Sequence, residues 1–163
     1  MGTTLLGLSG YWWAIMGAGF AAIISGIGSS IGIVIAAATA AGVLSEDDTK
    51  FGRILPLVAM PGTQGIYGFI AAVLVLVFFG ILGGKNNIPL ITGVAIFFAC
   101  QPVAWLCFLS AIYQGRAGVA AIEVVAADKK APALVFPALV ETYAILSLIV
   151  TILMLLGISA SIG

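Results

Sequence analysis

Apolar residues run along this chain in four long stretches separated by short polar breaks. Residues 1–45, 54–84 and 86–115 carry no Asp, Glu, Lys or Arg, and residues 131–163 carry a single charge, Glu141. A helix needs about 20 apolar residues at ~1.5 Å each to cross a bilayer. Each stretch is long enough for one crossing. The pattern predicts helices over about 11–44, 52–83, 88–127 and 132–161. The fold class expected is an all-α membrane protein of four transmembrane helices, arranged as two tandem hairpins. Several of these helices exceed the hydrocarbon thickness, so their ends should project into water or the helices should tilt.

Composition agrees with this reading. Of the 163 residues, 63% are hydrophobic and 7% are charged, against about 25% charged in ordinary soluble domains. Six basic and six acidic residues cancel, leaving no basic face for nucleic acid. The chain has no His, which excludes imidazole metal sites, Ser-His-Asp triads and His proton relays. Cys100 and Cys107 sit too far apart along one helix face to bond each other and read as buried thiols. The start does not resemble a signal peptide, because residues 2–10 lack Lys and Arg and the apolar run is far too long for an h-region.

The charges also suggest an orientation. Between the first two helices lie Glu46, Asp47, Asp48, Lys50 and Arg53. Around the end of the third lie Arg116, Glu123, Asp128, Lys129 and Lys130, whereas the second and third helices are joined by a turn with only Lys85. The excess of basic residues places loops 45–51 and 128–131 in the cytoplasm and both termini outside.

The two halves, 1–84 and 85–163, read as a duplication in parallel orientation. Ser25-Gly-Ile-Gly-Ser-Ser lies over Ser110-Ala-Ile-Tyr-Gln-Gly at an offset of 85, and Gly62-Thr-Gln-Gly-Ile-Tyr-Gly over Glu141-Thr-Tyr-Ala-Ile-Leu-Ser at 79. The first helix is crowded with small residues, including Gly17, Gly19, Ser25, Gly26, Gly28, Ser29, Ser30 and Gly32. In lipid, close backbone approach supplies the attraction between helices that the hydrophobic effect supplies in water. Small residues on most faces suit the tightly curved inner wall of a multi-subunit ring.

Glu141 is the residue most informative about function. An ionisable group within a span costs ~2.5 kcal/mol or more and marks a functional site by default. Arg53 and Arg116 lie nearer the loop ends, so no basic partner stands at its depth. The second helix offers Thr63, Gln64 and Tyr67 on one face, and the third offers Tyr113 and Gln114. Pro61 removes an N–H and should free the carbonyl of Leu57. Several neutral oxygens and one carboxylate suit a hard monovalent cation. Because a proton needs fewer acceptors, the surplus favours Na⁺ over H⁺. The same Thr and Gln side chains also suit plain hydrogen bonding between helices. Gly84-Lys85 lacks the spacing of a phosphate loop, since its first position is Phe79 and its last is Asn86. The glycines of the first helix lack dinucleotide spacing and do not follow a strand. Gln101-Pro102 suggests a kink.

Taken together, the Gly-rich first helix, Pro61-Gly-Thr-Gln-Gly-Ile-Tyr-Gly, Tyr113-Gln-Gly and Val140-Glu-Thr-Tyr-Ala resemble the proteolipid (K, or c) subunits of V-type ATPases, especially the bacterial sodium-translocating members. The resemblance implies that Glu141 is the ion-binding carboxylate. It implies coordination by Thr63, Gln64 and Gln114 side-chain oxygens and by the Met60 carbonyl, with the Tyr67 hydroxyl holding the carboxylate closed. The proline argument frees Leu57 instead of Met60, and the two readings differ there. Gly62 stands where the second half has Glu141, so one ion per chain is implied, Na⁺ or alternatively H⁺. The implied partners are further copies in a ring, a stator membrane subunit, central-stalk subunits and lipid. This chain itself would bind no nucleotide and catalyse nothing alone. A self-contained small channel or transporter is the rival of a different class, and oligomer size in mild detergent separates the two.

Overall fold

The computed structural model describes residues 4–129 and 131–162. Residues 1–3, Gly163 and the loop residue Lys130 lie outside the described residues. Among the described residues, four helical stretches are long and apolar enough to cross a membrane: Gly10–Glu46, Asp48–Phe78, Leu90–Ala126 and Val135–Ala160. These are the four expected spans.

Two of the spans are broken, and in both the break is at a proline. The first span is one helix, α1 (Gly10–Glu46). The second is α2 (Phe51–Ala59), a 3₁₀ turn at Met60–Gly62 and α3 (Thr63–Phe78). The third is α4 (Leu90–Ala99) and α5 (Gln101–Ala126). The fourth is α6 (Val135–Ala160). Pro61 and Pro102 each lack the N–H that would continue the helix. At the second break the Gln101 amide donates to the Phe97 carbonyl at 2.9 Å, and its oxygen accepts from the Trp105 indole at 3.0 Å. Gln101 therefore bridges the break, from Phe97 in α4 to Trp105 in α5. The second span ends at Phe78, five residues short of the expected 83. Gly80 and Gly84 adopt positive φ there (68° and 85°), and the chain turns instead of continuing as helix.

The helices pack with α1 lying along α5 and α3, and α5 along α6. The close approach of α1 to α4 and α5 depends on glycine. A methyl group on Gly28 would strike the Phe108 backbone, and one on Gly115 would strike Gly32. Two apolar clusters result. One gathers Ala18, Val75, Phe79, Ile96, Val103, Cys107 and Leu155. The other gathers Ala36, Ile54, Leu57, Ala121, Ile122 and Val125. Neither cluster includes the buried polar residues Ser29, Gln64, Ser110 and Gln114, which face the packed helices instead of lipid.

At the end bearing the 1–2 and 3–4 loops, charged side chains close the tips of the helices. Lys50 Nζ donates to the Ala126 carbonyl at 2.9 Å and pairs with Asp128 at 3.2 Å and Asp47 at 3.4 Å. Arg53 donates to the Lys129 carbonyl at 2.8 Å. The Lys50 cation on the Ala126 carbonyl, the last of α5, suits the negative end of its dipole. The Thr49 hydroxyl, aided by the Thr49 amide and Lys50, holds the Asp47 carboxyl below its ordinary value.

Candidate functional site

Glu141 is the seventh residue of α6 and is half-buried. α3 and α5 bring their polar groups to it. The Tyr67 hydroxyl donates to Glu141 Oε1 at 2.6 Å. Gln114 Nε2 donates to Glu141 Oε2 at 3.3 Å and to the Pro137 carbonyl at 2.9 Å. Each carboxylate oxygen thus has its own donor. Behind this pair, Gln64 Nε2 donates to Gln114 Oε1 at 2.6 Å. Gln64 and Gln114 are both 0% exposed, so an unpaired amide there would be expensive.

The 3₁₀ turn adds further oxygens. The Thr63 hydroxyl donates to the Met60 carbonyl at 2.9 Å and lies 3.5 Å from Gln64 Oε1. Met60 O, Thr63 Oγ1 and Gln64 Oε1 therefore stand together, joined to Glu141 through Gln114. The donor set is oxygen-only with one formal negative charge, the chemistry of a hard monovalent cation and not of a transition metal. The Gln114 amide turns its nitrogen, not its oxygen, toward the carboxylate. A cation at Glu141 would gain the Gln114 oxygen only if that amide turned over.

Six residues singled out from the sequence, Glu141, Gln64, Gln114, Thr63, Tyr67 and Met60, fall into this network. Tyr113 does not: it is 56% exposed, and the Arg116 guanidinium stacks 5.5 Å from its ring centre. The carbonyl that Pro61 frees also points elsewhere. Leu57 O lies against Gly118 of α5, where an added methyl would come within 2.9 Å of it. Met60, not Leu57, presents its carbonyl beside the Thr63 hydroxyl. Two contacts were not read from the sequence. Ser110 Oγ donates to the Val140 carbonyl at 3.1 Å, and Gln114 binds the Pro137 carbonyl. These carbonyls lie one and four residues before Glu141, so α5 holds the backbone that carries the carboxylate. The signal for Ser110 was its place four residues before Gln114, on the same helix face.

Four apolar spans folded as a bundle, with one carboxylate held among side-chain oxygens, define a membrane ion-handling subunit. The sequence profile of the ATP synthase C-subunit family matches residues 16–75 and 92–154. The chain is 43% identical over 145 residues to the A-type ATP synthase subunit K of Methanocaldococcus jannaschii, covering 88% of this chain and 61% of that one. It is 34% identical over 147 residues to the V-type sodium ATPase subunit K of Enterococcus hirae, covering 89% of this chain and 91% of that one. The chain thus spans about three-fifths of the archaeal relative and nearly all of the enterococcal one. It belongs to the ATP synthase C-subunit family, the proteolipids that assemble as rings in the membrane sectors of rotary ATPases. Such a subunit is a membrane component of the rotary machine and not a catalytic enzyme in its own right.

Proposed function

We propose that this chain is a rotor-ring subunit that carries Na⁺ across the cell membrane on Glu141. The observation that carries the reading is the oxygen set: one carboxylate, two buried amides, two hydroxyls and a carbonyl linked in a single hydrogen-bonded network. A sodium ATPase subunit K as a relative over nearly the full length supports it. Each Glu141 takes an ion from one half-channel of a stator subunit, with the Gln114 amide turning its oxygen inward as the ion enters. Thr63, Gln64 and Met60 supply the remaining oxygens, and Tyr67 holds the carboxylate in place. Neutralised in this way, the carboxylate passes through lipid as the ring turns and releases the ion on the other side. Moving one charge against 100 mV requires ~2.3 kcal/mol. This chain has no source for that, so rotation is coupled through central-stalk subunits to ATP hydrolysis or synthesis elsewhere.

The chain reads as two copies of one hairpin, 1–84 and 85–163. In the first and third spans the buried positions coincide at an offset of 86, one more than the motif superposition gives: Ala14/Cys100, Ala18/Ala104, Ala21/Cys107, Ser25/Ala111, Gly28/Gln114 and Ala36/Ile122. For the second and fourth spans the buried positions Leu57/Pro137, Gln64/Ala144, Ala71/Thr151 and Val75/Leu155 coincide at an offset of 80. That is one residue more than the motif superposition gives, and it sets Pro61, not Gly62, against Glu141. Either register leaves the first hairpin without a carboxylate, hence one ion per chain.

The test is modification of Glu141 by a hydrophobic carbodiimide, which attacks the protonated carboxyl. At fixed pH, Na⁺ should slow the reaction in the assembled ring. Equal rates across a wide Na⁺ range would sink the sodium reading and leave H⁺ as the carried ion.

A further inference from the structure

The helical pattern of α3 resumes at Thr63, with Gly62 at its N-cap position and no side chain of its own to cap it. The first N–H groups of a helix have no acceptor within the helix. A Ser, Thr, Asp or Asn at the N-cap ordinarily supplies one to the second or third helical residue. Counted from Thr63, the third residue is Gly65. Its N–H donates to Ser29 Oγ at 2.7 Å, across 36 residues of sequence. The capping oxygen is thus supplied by α1, from a serine that is 6% exposed.

The three residues of that turn are Thr63, Gln64 and Gly65, and the first two carry side-chain oxygens of the proposed ion site. The fit around the cap is close. A methyl on Gly65 would lie 3.1 Å from Ser29 Oγ, and one on Gly32, nearly a turn further along α1, would lie 2.8 Å from Pro61 Cβ. Ser25, one turn away on the same buried face, behaves differently: its hydroxyl donates to Ala21 O at 2.6 Å and Ala22 O at 3.2 Å within α1.

We infer that Ser29 caps α3 from α1 and is a positioning residue for Thr63 and Gln64, setting the Na⁺ affinity of the site without touching the ion. The inference rests on the sodium reading above. Its test compares the Na⁺ concentration that half-protects Glu141 from carbodiimide in assembled rings. Ser29→Ala should raise it about fivefold, the factor expected from losing a helix cap. Ser29→Thr, which keeps the hydroxyl, should stay within about twofold of the unsubstituted ring. Ser25→Ala, which removes a serine at least as buried, should leave it unchanged. If Ser29→Ala yields no ring, Ser29→Cys keeps the volume with a poor acceptor and should show the same rise. An unchanged Na⁺ requirement in the Ser29 variant that assembles overturns the inference, as does an equal rise in Ser25→Ala. Absence of protection by Na⁺ in the unsubstituted ring would overturn the sodium reading and this inference with it.

Discussion

Tyr67 is the residue whose contribution separates most cleanly from the rest of the site. Its hydroxyl makes one short bond, to Glu141 Oε1, and its ring packs against the apolar cluster of Ala18, Val75 and Cys107. Tyr67→Phe keeps the packing and removes the bond. The Na⁺ requirement of transport should rise about tenfold, the lower end of what a hydrogen bond to a charged group supplies. An unchanged requirement would mean that the carboxylate is held without Tyr67. Such polar side chains were legible from sequence because each stands nearly alone in an apolar run, where an unpartnered polar group is costly. Ser29 and Ser110 were not legible, because a serine in a helix of glycines and alanines reads as close packing. Tyr113 and Gln114 are neighbours about 100° apart around α5, so only one of them can point inward. Which one does is decided by the packing of α5 on α1 and α6, and sequence alone does not give that.

At the scale of the element, the broken second span is the feature that builds the site. Four continuous spans were readable from length and charge. The Pro61 break was foreseen, but its consequence was assigned to Leu57, because removal of an N–H identifies the orphaned carbonyl and not the direction in which the kink turns it. The freed Leu57 carbonyl is covered by α5 at Gly118, while the tight 3₁₀ turn brings Met60 O to the Thr63 hydroxyl. Pro61→Ala restores an N–H to Leu57 O and allows α2 to run on into α3. The ring should then melt at the same temperature or higher, since a proline inside a helix costs ~3 kcal/mol. Its Na⁺ requirement should rise about fivefold or more, because Met60, Thr63 and Gln64 lose their arrangement. A variant of unaltered Na⁺ dependence would show that the kink serves packing alone.

For the whole molecule, the direction in which the bundle faces has the largest consequence. Five of the six basic residues, Lys50, Arg53, Arg116, Lys129 and Lys130, belong to the half with the 1–2 and 3–4 loops, and Lys85 alone marks the other end. By the positive-inside rule that half is expected in the cytoplasm. Lys50 also binds the last carbonyl of α5 and Arg53 that of Lys129 just beyond it, so these charges close this end of the bundle as well. α1 has 37 residues, about 55 Å at 1.5 Å each, well beyond a hydrocarbon core of about 30 Å. Ser45, near its end, should therefore stand clear of the membrane on the side of these loops, and Asn86 in the opposite connection should stand clear on the other. Both are exposed, and both native cysteines are 0% exposed. With Cys100 and Cys107 replaced by alanine, Ser45→Cys and Asn86→Cys can each be treated with an impermeant maleimide. Asn86→Cys should label in intact cells, and Ser45→Cys only in everted vesicles. The reverse pattern would invert the orientation, and labelling of both sites from one side would contradict the passage of the chain through two hairpins. The expected labelling pattern would place the turn at Met60–Gly62 and the start of α6 in the cytoplasmic half, nearer the loops than the termini. Glu141 would then sit at the end of a short path from the cytoplasm and a long path from outside, and the two half-channels of the proposed stator would differ in depth accordingly.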